Sequence, residues 1–329
     1  MTPIHPWGKL DWLISKIGVR TWTGVFCSSF EPRCLAVAEW ISKKNENHHF
    51  CIKIDDPQSR FTAEITRKTD DNEKVIRGLL RNKIDLTTQD LLAGPGAWNE
   101  FAQKISSTKD CSLLFDITCM PKRVFLFTIK QLLKSSNVRD LVVCYTRPAG
   151  YKEGQLTEDA LPPSAIPGFS RIKETSGDPI TIVSVGYMAF NLGELLEQQK
   201  GRTAKFLFPF PPGSPGFRRS WRLLHDLSQG MDMQTEIKRI NSMDMFATVD
   251  WLRNIQQAAN GNIDLIPLGP KPHALAMGLA FPKMGESAEI SYSQPRLYHP
   301  EYSQGIYKDD QGVSGITAYC IRRNYIDFV

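Results

Sequence analysis

Short unbroken apolar runs alternate along this chain with segments of helical period, which predicts strands buried on both faces between packed helices. The clearest case is Leu113-Leu-Phe-Asp-Ile-Thr-Cys-Met-Pro-Lys122, an apolar strand that ends on a polar turn. Pro121 suits a first helical turn, where its missing N–H would lack a partner anyway. The helical face then continues through Val124, Phe125, Phe127, Ile129, Leu132 and Leu133. Earlier strands are predicted at Trp22–Cys27 and Phe50–Ile54, and a later one at Val138–Tyr145. Helices are expected at 8–18, 34–42, 75–80 and 90–106, while 59–71 fits neither period. Alternation of strand and helix calls for a parallel sheet with right-handed crossovers.

Residues 146–179 are rich in Pro, Gly and polar side chains and read as a long loop between halves, with room for a small hairpin. The pattern then restarts. Strands are expected at Ile180–Gly186, Ala204–Phe208, Ile263–Ile266, Ala288–Ser293 and Ile316–Ile321, with helices at 188–199, 217–227, 243–259 and 274–281. Residues 295–312 read as an aromatic, polar loop.

The halves share punctuation. Tyr145-Thr-Arg-Pro-Ala-Gly-Tyr151 and Tyr292-Ser-Gln-Pro-Arg-Leu-Tyr298 have one Tyr-x-x-Pro-x-x-Tyr frame, offset by 147 (292 − 145). Pro121 pairs with Pro272 at an offset of 151 (272 − 121), and Ser29-Phe30 with Gly186-Tyr187 at 157 (186 − 29). The expectation is an α/β protein of two tandem units with mainly parallel sheets, 1–165 and 166–329, related by a pseudo-two-fold duplication.

Composition adds bounds. With 41% hydrophobic and 23% charged residues, each half can bury a core. A net charge of +5 is compatible with an anionic ligand or nucleic acid and selects neither. No run is long and apolar enough to span a bilayer, and the N-terminal residues lack a signal-peptide pattern, so a cytoplasmic protein is expected. Seven cysteines, several on apolar strands, fit buried reduced thiols better than disulfides. His48-His49 with Cys51 has no second ligand pair at zinc spacing, and no metal or other cofactor is expected. Walker A, Gly-x-Gly-x-x-Gly and Gly-x-Ser-x-Gly motifs are absent, which removes support for simple ATPase, dinucleotide and lipase-like readings.

Candidate chemistry gathers at the strand ends, where open α/β sheets bind ligands. Asp116 and Thr118 would hold a ribose hydroxyl or act as a base, or else cap the next helix. Lys122 and Arg123 would meet phosphate or stay solvated. Gly269 and Lys271 would admit and charge-match a ligand, or simply turn into a helix. His273, near a helix N-terminus where a cation is disfavoured, would contact a ligand as neutral imidazole or serve structurally. Glu31 and Arg33 would be a catalytic carboxylate and a phosphate clamp, or a local pair on the surface. Arg147, Tyr151, Gln294, Arg296 and Tyr298 would stack on bases or pack between the halves. Residues 202–222 carry Arg202, Lys205, Arg218, Arg219 and Arg222 among Phe206, Phe208, Phe210, Phe217 and Trp221 with no acid, the best phosphate or nucleic-acid patch.

The turns Asp116–Lys122 and Pro267–His273, with the early turns Ser28-Ser29-Phe30 and Gly186-Tyr187, resemble those of the Rossmann-like ligand-sensing domains called CARF and their fused relatives called SAVED, from bacterial antiviral signalling. The resemblance implies two Rossmann-like units binding a cyclic or linear oligonucleotide at those turns, including Ser28, Ser29 and Gly186. It also implies relay to a separate effector or complex subunit, since no effector domain is seen here. Two alternatives stay open: a nucleosidase or phosphodiesterase using Glu31 or Asp116, and a nucleic-acid-binding subunit using Arg218, Arg219 and Arg222.

Overall fold

The unbroken apolar runs become central strands because helices cover both their faces. The computed structural model describes residues 5–18, 21–44, 47–154, 156–186, 203–210, 221–222, 225 and 235–329. The chain begins with β1 (Trp7–Lys9), α1 (Leu10–Ile17), β2 (Thr23–Ser28), α2 (Ala36–Ser42), β3 (His49–Asp55) and α3 (Thr62–Leu79). Next come β4 (Ile84–Asp90), α4 (Pro95–Ile105), β5 (Cys111–Asp116), α5 (Lys122–Lys134) and β6 (Val138–Thr146). Three short strands follow, β7 (Pro148–Tyr151), β8 (Thr157–Ala160) and β9 (Ser164–Ala165). Then come β10 (Gly177–Ser184), β11 (Thr203–Phe210), β12 (Thr235–Asn241), α6 (Met245–Ala258), β13 (Gly261–Pro267) and α7 (Lys271–Ala280). The chain finishes with β14 (Ala288–Tyr292), β15 (Pro295–Tyr298), β16 (Ser303–Ile306), β17 (Ile316–Arg323) and β18 (Ile326–Asp327).

Two compact units result: Met1–Asp159 with Pro295–Val329, and Ala160–Gln294. The sequence-based cut at 165/166 therefore misassigns the last segment. β17 hydrogen-bonds antiparallel to β6 of the first sheet, and β1 to β17. An apolar strand completes whichever edge its backbone can reach, and here the chain returns to the first unit to do so. The chain leaves along β7 and β8 and comes back along β15 and β16, which pair as β8 with β15 and β7 with β16. The segments read as loops, 146–179 with room for a small hairpin and 295–312, thus contribute two-stranded antiparallel ribbon.

In the first unit the sheet order is β1-β17-β6-β5-β2-β3-β4. β6, β5, β2, β3 and β4 are mutually parallel. Numbered by appearance, those five strands are ordered 5-4-1-2-3, the order of a Rossmann-type sheet. All six residues of β5 are buried. Leu114 joins Phe26, Val37, Ile41, Val142 and Cys144 in one core with α1 and α2. Leu113 and Phe115 leave the strand on the opposite face. Burying each such side chain contributes about 1.5–3 kcal/mol before entropy is counted.

The second sheet runs β12-β11-β10-β13-β14-β9, with all but the last strand parallel. Its parallel strands again read 3-2-1-4-5. All seven residues of β13 are buried. Asp244 caps α6 by accepting from the Ala247 N–H at 2.8 Å. The helix expected over 188–199 lies outside the described residues, as does most of that over 217–227. No helix among the described residues is long and apolar enough to cross a membrane.

Candidate functional site

In a 3-2-1-4-5 sheet the strand order reverses between the first and fourth strands, and the loops leaving those two strands diverge around a crevice. In the first unit these loops are 29–35, after β2, and 117–121, after β5. Both carry predicted site residues, and in both the polar atoms are bonded within the protein. Ser28 is buried and donates to the Thr69 carbonyl at 3.3 Å. Ser29 Oγ accepts from the Glu31 N–H at 3.4 Å, and its carbonyl accepts from Asn72 at 2.8 Å. Asp116 Oδ1 accepts from the Thr118 N–H at 2.9 Å and from the Thr118 hydroxyl, and Thr118 Oγ1 accepts from the Thr146 N–H at 2.9 Å. Asp116 and Thr118 thus tie the fourth strand's exit to the end of β6, nearer to the capping alternative than to a ligand clamp. The cap is made on the turn, since α5 itself starts from Pro121 without a side-chain cap. Lys122 and Arg123 are half-buried at that helix start.

Glu31 and Arg33 do pair locally, but as a buried pair and not the surface pair expected, because the returning β16 segment covers them. Arg33 donates to Glu31 Oε2 at 2.6 Å, to the Thr146 carbonyl at 2.9 Å and to Ser303 Oγ at 3.1 Å. Ser303 also donates to Glu31. Burial works against the guanidinium charge, but Glu31, with Tyr145, Cys119 and Tyr151 nearby, reverses that and holds Arg33 well above its ordinary range. This cluster roots the β7–β16 ribbon on the turn after β2. Sequence reasoning did not join Ser303, Thr146 and Tyr145 to this pair: Ser303 lies far along the chain in no motif, and Tyr145 and Thr146 were read as the start of the repeated Tyr-x-x-Pro-x-x-Tyr frame. Tyr151 is half-buried, its phenol pushed well up by desolvation and by Tyr145, and its ring centroid lies 6.1 Å from that of Tyr302. Tyr298 packs on Tyr302 at 6.2 Å, Arg147 lies 4.2 Å over the Tyr307 ring, and Arg296 pairs with Asp159 at 2.7 Å. These loop aromatics and cations contact one another in the ribbon.

One further acid stands at this rim. Asp56, just past β3, has its carboxyl pushed up to about 7 by burial and by Asp55. Its Asp-Asp-Pro context gave the sequence no sign of that burial. His49 is spent structurally: Nδ1 accepts from the Gly24 N–H at 2.9 Å, and burial, then His48, lowers it to about 4. Among the described residues no group of three or more His, Cys, Asp or Glu could hold a metal ion.

In the second unit the corresponding loops leave β10 and β13. Gly186 and Gly269 lie where they meet. A Cβ on Gly186 would fall 2.3 Å from the Leu268 carbonyl oxygen, and one on Gly269 would fall 2.0 Å from Ser184 Oγ. These glycines therefore serve the approach of one loop to the other. His273 is fully buried, with Nε2 3.1 Å from the Asn241 carbonyl and Nδ1 3.4 Å from Ser184 Oγ. A neutral ring protonated on Nε2 satisfies both contacts, the structural alternative for this residue. Lys271 opens α7, half-buried, behind Pro270 as N-cap. Gln294 is buried, and its carbonyl accepts from the Leu161 N–H at 2.9 Å. Arg222 is exposed, and Arg239 lies 5.1 Å over the Trp221 ring. Arg202, Arg218, Arg219 and Tyr187 lie outside the described residues.

No protein-family model and no curated protein matches this chain. Solved structures resemble it distantly. A protein described as a universal stress protein from Pseudomonas aeruginosa UCBPP-PA14 has TM-score 0.26 and 10% identity, over 86% of this chain and 96% of that one. A functionally unknown protein from Pseudomonas aeruginosa PAO1 gives 0.24 and 10%, over 86% and 95%. A multidomain keto acid-selecting NRPS module gives 0.22 and 10%, over 75% of this chain and 26% of that chain.

Proposed function

We propose that this protein is a two-unit sensor or adaptor that binds an anionic nucleotide or oligonucleotide at strand-end turns and relays the event to a partner protein, as CARF- and SAVED-like proteins do. The observation that carries the reading is the shared 3-2-1-4-5 strand order, which gives each unit its own reversal point. Tandem duplication is part of the proposal. Its support is that α5 and α7 both start from Pro-Lys, at Lys122 and Lys271, 149 positions apart (271 − 122). The strand registers agree to within one residue: at the first-strand offset of 157 Val25 matches Ile182, and their partners Phe115 and Leu265 lie 150 apart (265 − 115). That replaces the Pro121–Pro272 match with Pro121–Pro270, both extended N-caps.

The second unit is the favoured binding side. In the first, Asp116, Thr118, Glu31 and Arg33 spend their polar atoms on one another, which also weighs against a nucleosidase or phosphodiesterase using Glu31 or Asp116. In the second, Lys271 sits at the start of a ten-residue helix, where an anion is favoured. Calorimetric titration with cyclic and linear oligonucleotides and mononucleotides tests this. Binding by the wild-type chain is expected, weakened about tenfold or more in Lys271→Ala, the loss of one charge-assisted contact. Absence of binding across the panel would remove the proposal.

A further inference from the structure

The seven cysteines are not equivalent. Cys27, Cys34, Cys51, Cys111, Cys144 and Cys320 are buried, and Cys119 alone is half-exposed. Burial pushes the Cys34 and Cys144 thiols well up, Cys51 to about 12 and Cys111 to about 11. Such thiols are inert at neutral pH, because the thiolate is the nucleophile.

Cys119 has different surroundings. It lies in the turn between β5 and α5, three residues before a thirteen-residue helix whose N-terminus favours negative charge. It is close enough to Arg33 for the two charges to interact, and a buried guanidinium favours the thiolate. A second observation bears on the same wall. Thr146 Oγ1 is fully buried and has no hydrogen-bond partner. The Thr146 backbone is bonded on one side to Thr118, the neighbour of Cys119, and on the other to Arg33. Thr146 is two residues beyond Cys144 on β6, so its side chain leaves the sheet on the face where Cys144 and Cys119 join one core. An orphaned buried hydroxyl is unfavourable and calls for a polar partner that arrives there.

We propose that Cys119 is the reactive thiol of this protein, a modification site oxidised by hydroperoxides to a sulfenic acid whose oxygen is met by Thr146 Oγ1. The thiolate sulfur attacks the outer peroxide oxygen. An S–O bond forms as the O–O bond breaks, and sulfur loses two electrons. The leaving hydroxide or alkoxide takes those electrons and a proton, so thiol and hydroperoxide become sulfenic acid and water or alcohol. Arg33 favours the attacking anion and is a positioning residue in this step. The proposal is independent of any nucleotide ligand.

The test treats the native full-length chain with hydrogen peroxide, traps sulfenic acid with dimedone, and maps adducts by peptide mass spectrometry beside iodoacetamide alkylation rates. Cys119 is expected to carry the adduct and to alkylate about tenfold or more faster than any other cysteine. Arg33→Met is expected to slow Cys119 alkylation by about tenfold, as loss of a neighbouring cation should. Should that variant fail to fold, Thr146→Val decides: it should lower dimedone trapping at Cys119 and leave thiol alkylation unchanged. A different cysteine reacting first, or trapping unaltered in Thr146→Val, would overturn the proposal.

Discussion

Asp56 is the residue whose charge fits its place least well. Burial and the adjacent Asp55 hold its carboxyl near 7, so the folded chain keeps a proton there that the unfolded chain would release nearer 3.8. The sign follows from linkage. Where the native state binds the proton more tightly, stability is fullest below the unfolded value and falls as pH rises through the folded one. Between pH 4 and pH 8 the wild-type chain should therefore lose stability that an Asp56→Asn variant retains. Urea melts across that range should show the two converging at the acid end, and parallel curves would exclude the assignment. Nothing in Asp55-Asp56-Pro57 reveals such burial, because sequence records neighbours along the chain and not the side chains that fold over them. Glu31 and Arg33 differ in this respect. Their spacing made a local pair one reading from the outset, while their depth came only with Ser303, 270 positions beyond Arg33.

At the scale of elements, the reversal-point loops of the second unit are the tightest joint. A methyl group on Gly186 would press the Leu268 carbonyl at 2.3 Å, a backbone atom that cannot rotate away. Gly186→Ala should destabilise the second unit by about 1–3 kcal/mol through overpacking, read as a lower denaturation midpoint with unchanged slope. The element record also shows where pattern reading stops. Central strands were legible: β2, β3, β5, β6, β10, β11, β13 and β14 all fall on the predicted apolar runs. The third strand of each sheet was not. β4 (Ile-Asp-Leu-Thr-Thr-Gln-Asp) and β12 (Thr-Glu-Ile-Lys-Arg-Ile-Asn) are edge strands, one residue buried in each, so neither needs an apolar run. Likewise α3 buries only Thr69 and Ile76 of its eighteen residues, and its charges obscured the start that the sequence left ambiguous.

At the scale of the molecule, connectivity rather than pattern was the hidden part. The apolar run 316–321 announces a strand, but no local feature says which sheet it joins. Its backbone pairs with β6, and β1 pairs with it in turn. Truncation after Gln294 should therefore expose the β6 edge and abolish protection of β2, β5 and β6 amides in hydrogen exchange, while β10 and β13 amides stay protected. Equal loss in both sheets would contradict the division into two units.

That connectivity also sets a calendar for biosynthesis. The strand closing the first sheet leaves the ribosome only after all of residues 160–294, so the earlier-made unit waits incomplete while the later-made one can already fold. A nascent chain of this design keeps an unpaired β6 edge for that interval, the period in which a chaperone would have most to shield.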